Sequence, residues 1–208
     1  DIDGNEYYDC INNFTAMIHG YALKSVDTAV KQQLSFGTAF GAPTLSEIEL
    51  AEVLTERLPG ADSIRFANSG TESVMMAIKA ARAFTERPKI VKIEGSYHGS
   101  YDFAEVSLDS CPDNWGDTPL SVQYAKGTPK SVLDDVIVVR FNNLNDLSNV
   151  FDLHGHEIAG VLIDPLPNRA GLIPADKHYI NHLFSIAKSH GALVIFDEVI
   201  SFRLGYSG

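Results

Sequence analysis

The sequence predicts an α/β domain whose mostly parallel sheet is covered by helices on both faces. Short, largely apolar runs, KIVKIE at 89–94, DVIVVRF at 135–141, IAGVLIDP at 158–165 and ALVIFDEVI at 192–200, alternate with stretches of helical period. Such runs lack the regular in-out alternation of a strand with one wet face, which argues that both of their faces are covered. At 208 residues, 45% of them hydrophobic, the chain is also long enough to bury the core such a sheet needs.

Taken in order, DIDGNEYYDC carries a D-G-N turn between extended segments and reads as a hairpin. VDTAVKQQL at 26–34 is a short amphipathic helix, and the Gly- and Pro-containing SFGTAFGAPT at 35–44 is a loop. Residues 1–34 are thus expected to be an N-terminal hairpin and helix leading into a large domain over 35–208. LSEIELAEVLTERL at 45–58 places Leu45, Ile48, Leu50, Val53, Leu54 and Leu58 near one helical face and stops at Pro59-Gly60.

SIRFAN at 63–68 reads as a strand, TESVMMAIKAARAF at 71–84 as a helix with Val74, Met75, Ala77, Ile78 and Ala81 inward, and KIVKIE as the strand that completes a βαβ unit. Residues 96–135 are rich in turn residues and read as a long loop, of the kind that is functional or forms an interface. After DVIVVRF, the segments 144–154 and 175–191 are helices that separate the last strands.

Charge and composition narrow the function. With 16 Lys+Arg against 27 Asp+Glu the net charge is -11, and no basic block interrupts it, so nucleic acid and anionic membrane are excluded as partners. Cys10 and Cys111 form no C-x-x-C or Cys/His cluster, which points to no metal site, no disulfide framework and a reducing, cytoplasmic setting. No stretch reaches the ~20 apolar residues of a membrane span, and the N-terminus lacks the regions of a signal peptide. Both ends read as cuts through a longer fold.

In a parallel sheet, ligands bind at the carboxyl ends of the strands, and three of those ends carry suggestive residues. Asn68-Ser69-Gly70-Thr71 lies where a strand hands over to a helix. It is either a plain N-cap or a phosphate site, in which Gly70 admits the ligand to the backbone and Ser69 and Thr71 add hydroxyls. Glu94-Gly95-Ser96-Tyr97-His98-Gly99 offers an aromatic ring that either packs locally or stacks on a planar ligand. Asp197 ends an apolar strand, where a carboxylate needs a cationic partner: an arginine, a metal, or the protonated ring nitrogen of a cofactor. Asp164 follows the same logic. A phosphate anchor, a stacking aromatic and an Asp at a ring nitrogen together describe a pyridoxal-phosphate site.

At these residues the chain resembles the class-III, fold-type I pyridoxal-phosphate aminotransferases, particularly the glutamate-1-semialdehyde 2,1-aminomutase branch. GTAFGAPTLSEIELAEVL, RFANSGTES, EGSYHGSYD and GALVIFDEVISFRLG carry the resemblance in order over residues 36–205. It implies the large domain of that fold, with 35–208 its first part, cut before the catalytic lysine. It further implies that Ser69, Gly70 and Thr71 hold the cofactor phosphate, that Tyr97 stacks on the ring with His98 beside it, and that Asp197 pairs with the ring nitrogen. Val199, taken as lying on the same strand face, would pack against the ring's other side. A homodimer, with the 37–44 loop near its interface, and small amino donors and carbonyl acceptors follow from the same resemblance.

The chain departs from the family in two places. Asp164-Pro165 stands where the family has Glu-Pro, and LPNRAGL replaces the aminomutase's Gly-Asn pair. A gapless match sets Arg169 at the asparagine that approaches the cofactor's phenolic oxygen, with Asn168 one residue early, so that role lies open between Asn168 and Arg169. This difference favours a transaminase over a true aminomutase. The second departure is the Schiff-base lysine, which the resemblance places beyond Gly208. The lysines present, Lys177 and Lys188 among them, read as surface charge. A chain lacking that lysine is expected to be inactive alone, and a non-catalytic binding protein on the same fold, or another phosphate-ligand enzyme, stays open.

Overall fold

The computed structural model describes residues 1–114, 116 and 118–208. Trp115 and Asp117, within the segment read as a long loop, lie outside the described residues. The chain forms two compact units, Asp1–Ile64 and Arg65–Gly208.

In the first unit the expected helices form as α1, Lys24–Leu34, and α2, Leu45–Arg57. Thr44 caps α2 by accepting the Glu47 N–H at 3.3 Å, and Gly60, at φ +88°, follows its end. Neither helix buries a residue, and Leu45, Ile48, Leu50 and Val53 of the predicted apolar face are exposed. The N-terminal hairpin is corrected: no strand forms over residues 1–23. The Asp1 carboxylate instead accepts the N–H groups of Asp3 and Asn5, donors that a two-stranded ladder would need.

The second unit holds α3, Gly70–Thr85; β1, Lys89–Ile93; α4, Asp102–Glu105; α5, Lys130–Asp134; β2, Val136–Val139; α6, Leu144–His154; β3, Ile158–Ile163; α7, Lys177–His190; and β4, Leu193–Phe196. The four strands pair in parallel in the order β2-β1-β3-β4. On one face Leu147 and Phe151 of α6 and Tyr179, Leu183 and Ala187 of α7 pack on Val91, Ile93, Val161 and Ile163. On the other, Val74, Ile78 and Ala81 of α3 pack on Ile90, Ala159 and Leu162. Burial of a side chain such as Ile78, fully inaccessible to solvent, contributes roughly 1.5–3 kcal/mol.

The side-chain alternation of the strands decides which functional groups meet. Beyond a register irregularity where β1 passes from Ile158 to Gly160, Leu162 faces α3 and Ile163 faces α6 and α7. On β4, Leu193 and Ile195 pack on the α3 side and Val194 and Phe196 on the other. Continued past the strand ends, this alternation directs Asp164 and Asp197 to the α3 side.

Two further expectations are corrected. Residues 63–68 do not form a strand, so the first βαβ unit lacks its opening member. An apolar run becomes a strand only where a neighbour takes its N–H and C=O groups. Among the described residues no strand pairs with this one, and the Asn68 N–H turns instead to the Glu72 carboxylate at 2.8 Å. The 96–135 segment is largely turns, but it contains the short α4 and α5, and Ala104, Val106, Leu108 and Val132 are buried. Val106 and Val132 pack with Val136 and Val138 of β2, so part of this segment is core.

Candidate active site

The carboxyl ends of β1 and β4 and the N-terminus of α3 converge, as the parallel topology requires. Ile163 lies opposite Phe196 in the register, and the Asp197 N–H continues the ladder to the Ile163 carbonyl at 2.8 Å. Asp164 and Asp197 therefore stand side by side at the edge of the sheet, on the α3 side.

Asp197 finds its partner in His98, whose Nδ1 lies 2.9 Å from Asp197 Oδ2. The imidazole side chain is fully buried and the carboxylate side chain 10% exposed, so the pair is largely sheltered from water. With His98 Nδ1 donating, the carboxylate keeps unused lone pairs for a cation. Oδ1 also accepts the Val199 N–H at 3.2 Å, which closes a turn after the strand. Val199 thus sits in that turn and is exposed, rather than on the strand face, because β4 ends at Phe196.

Ser69 is the N-cap of α3. Its hydroxyl accepts the Glu72 N–H at 3.2 Å while the Glu72 carboxylate takes the Asn68 N–H, a reciprocal pair that fixes the helix start. The capping role is therefore met, and it does not use up the site. Among the described residues no acceptor is paired with the Gly70 or Thr71 N–H, which point from the positive end of the helix dipole. Gly70 is exposed and has no positive φ; a Cβ there would meet only a Val199 methyl at 3.8 Å. Internal packing therefore does not demand glycine at this position, and the backbone there is open to close approach.

The Thr71 hydroxyl accepts the Ser100 N–H at 3.1 Å and so ties α3 to the turn after β1. In that turn Gly95 and Gly99 take φ of +72° and +86°, His98 is buried and Tyr97 is half exposed. The structure thus brings Thr71, His98 and Asp197 together, with Gly70 beside Val199. Asn168, on a short 3-10 turn, is exposed, and Arg169 beside it bonds the Asp109 carboxylate and the Leu108 carbonyl.

Two features went unread in the sequence. The His98–Asp197 bond joins residues far apart in the chain, and no local pattern announces it. Lys92 contradicts the reading of the lysines as surface charge: it is fully buried on β1, while Lys177 and Lys188 are exposed as expected. Its position inside a strand covered on both faces was the signal available. Among the described residues no group of three or more His, Cys, Asp or Glu is arranged to hold a metal ion, and none of the helices is long and apolar enough to cross a membrane.

Burial raises the Asp164 carboxyl above the ordinary carboxylate range; the Leu166 N–H it accepts at 2.8 Å opposes this, and the charge of Asp197 adds to it. Glu198 is raised for the same first reason, burial, with Asp197 again adding. An acid held up in this way contributes stability below its unfolded pKa and loses it as pH rises through the folded one. Asp164→Asn, which keeps an acceptor for Leu166, is therefore expected to raise the thermal midpoint relative to wild type. The difference should grow from about pH 4 to neutrality, and a flat difference in melting curves across that range would contradict it.

The family model described as aminotransferase class-III matches residues 1–208. Among curated relatives, the chain is 41% identical over 209 aligned residues to a glutamate-1-semialdehyde 2,1-aminomutase of Persephonella marina, covering 100% of this chain and 48% of the relative. It is 42% identical to the enzyme of that name from Desulforudis audaxviator, with 100% and 47% covered. The chain spans about half the length of the curated relatives it matches. Among solved structures, an omega-transaminase from Sphaerobacter thermophilus is 50% identical with a TM-score of 0.92, covering 95% of this chain and 45% of that one. A glutamate-1-semialdehyde aminomutase from Pseudomonas aeruginosa is 26% identical with a TM-score of 0.85, covering 100% and 44%.

Proposed function

Since the chain belongs to the class-III aminotransferase family, we propose that the full-length protein transfers an amino group between an amino acid or amine and a carbonyl acceptor, with pyridoxal phosphate as its cofactor. The observation that carries this is the sheltered Asp197 carboxylate, oriented by His98 at 2.9 Å beside the open start of α3. A solved relative with 43% identity and a TM-score of 0.92, described as a transaminase with PLP bound, supports the same cofactor. When bound, the cofactor supplies the aldehyde carbon that accepts the amino group and the ring that draws electrons from the substrate's α-carbon.

The chain's residues divide the work of holding it. The N–H groups of Gly70 and Thr71, with the Ser69 and Thr71 hydroxyls, would receive the phosphate at the positive end of α3. Asp197 would pair with the ring nitrogen and keep a proton there, and His98 holds the carboxylate in place. Tyr97, half exposed next to His98, would cover one side of the ring, and Val199, from the turn after β4 and beside Gly70, would contact the other. Of the two candidates for the phenolic oxygen, Asn168 would take the role in preference to Arg169, whose guanidinium is bonded to Asp109. Residues 35–208 then form the first part of the cofactor-binding domain, after the 1–34 segment. The protein works as a cytoplasmic homodimer on small molecules, and the lysine that links the cofactor belongs to the remainder of the protein.

A second reading, an aminomutase, is supported by the names of the curated relatives. One assay separates the two. The full-length protein is titrated with pyridoxal phosphate and then given a panel of amino donors with a keto acid, and separately glutamate-1-semialdehyde alone. Transfer between two molecules is expected. Turnover of the semialdehyde without a second substrate would favour the aminomutase, and failure to bind the cofactor would sink both readings.

A further inference from the structure

The side chain of Lys92 projects from β1 into the sheet's α3 side, the face of Ile90, and is fully buried. Its ammonium lies 3.1 Å from the Ile93 carbonyl, 3.2 Å from that of Ser96 and 2.8 Å from that of Val106. An ammonium has three N–H donors, and here three acceptors receive them. The Ser96 carbonyl lies in the turn after β1 and that of Val106 just past α4, so one cation gathers the two ends of the 96–106 segment.

That segment carries the site. The Gly95 N–H bonds the Ser107 carbonyl at 2.8 Å, next to the Val106 carbonyl that Lys92 holds. Ser96 and His98 are both buried. Gly99 then passes so close to α3 that a Cβ on it would lie 2.4 Å from the Thr71 hydroxyl. His98 reaches Asp197 only if this turn keeps its course.

We propose that Lys92 is a positioning residue: by bonding the Ser96 and Val106 carbonyls it holds the 95–99 turn in the shape that presents His98 to Asp197 and Tyr97 to the cofactor. An apolar residue of similar length would fill the space but leave buried carbonyls without donors, and they would be free to draw the turn toward water. Burial pushes the lysine down to about 7, with the Glu94 charge opposing the fall and Arg169 adding to it. Retaining so unfavourable a group inside a covered strand is understandable if its bonds set a geometry that packing alone does not.

The role of the turn in holding a cofactor rests on the proposed pyridoxal-phosphate reading, so the test has one arm that does not need it. Lys92→Met and Lys92→Gln are made in the full-length protein, and the imidazole NMR signals of His98 are recorded at pH 6 without added cofactor. Pyridoxal-phosphate affinity and thermal midpoint are measured beside them. The Met variant should shift the His98 signals away from the Asp197-bonded form and weaken cofactor binding by about tenfold or more, the lower end of what one charge-assisted hydrogen bond is worth. The Gln variant, with two donors, should fall between; where the Met variant does not fold, Gln carries the test. If midpoints drop while the His98 signals and the affinity stay at wild-type values, Lys92 only stabilises and the proposal is overturned. A wild-type protein that binds no cofactor would sink the transaminase reading, but the His98 signals would still decide the role of Lys92.

Discussion

Replacing Asp197 by Asn in the full-length protein is expected to reduce amino transfer by about 10- to 1000-fold while leaving the fold intact. An opposite charge within a few ångströms shifts the pKa of its partner by about 1–3 units, and each unit is a tenfold change in the protonated fraction. The Asp197 side chain is 10% exposed and bonded to the buried His98, so solvent screens its charge little. Asn keeps the shape and one acceptor for His98 but carries no charge. The loss should therefore shrink as pH falls, because a ring nitrogen without its anion still gains a proton in more acidic solution. Donor and acceptor kinetics over a pH range check this. Rates within twofold of wild type at neutral pH would remove Asp197 from the role.

Gly99→Ala is expected to be the most damaging change in the turn after β1, and Gly95→Ala a much milder one. Both glycines have positive φ, which alone disfavours a side chain by roughly 1–2 kcal/mol. They differ in surroundings. A Cβ on Gly95 meets nothing within 4 Å, whereas one on Gly99 would lie 2.4 Å from Thr71 Oγ1 and 2.7 Å from its Cα. The second contact is backbone, which cannot rotate away, so the turn and the start of α3 must separate. Overpacking of this kind adds typically 1–3 kcal/mol. It also breaks the Ser100 N–H bond to Thr71 that ties the turn to the helix. Denaturant unfolding should rank the variants wild type, Gly95→Ala, Gly99→Ala, and cofactor titration should follow the same order. Equal losses in the two variants would show that the close approach at Thr71 has no energetic weight.

Most regular elements of the second unit were legible because their signals are local. Apolar positions at helical spacing marked α3, whose buried residues Val74, Ile78 and Ala81 are among those read as inward. The strands β1 to β4 were marked by near-continuous apolar runs. The errors share a cause. Residues 63–68 and the N-terminal segment carry strand-like composition, but a strand is completed by a partner, and composition does not say whether one lies alongside. In α2 the helix forms where it was read, yet Leu45, Ile48, Leu50 and Val53 of its expected apolar face are exposed, because local spacing does not name what covers a side chain.

By itself the sequence determined the fold class and the family, because strand periodicity, strand-end polarity and ordered motifs are properties of neighbours along the chain. Tertiary structure decided what those residues do to one another. Asp197 was readable as a carboxylate in need of a cation, but its pairing with His98 depends on β1 and β4 ending at the same edge of a parallel sheet. Lys92 read as one more surface charge until two covering layers buried it and three carbonyls gathered around its ammonium. Burial and the meeting of distant groups arise only when the layers close, since desolvation and hydrogen bonding act through space.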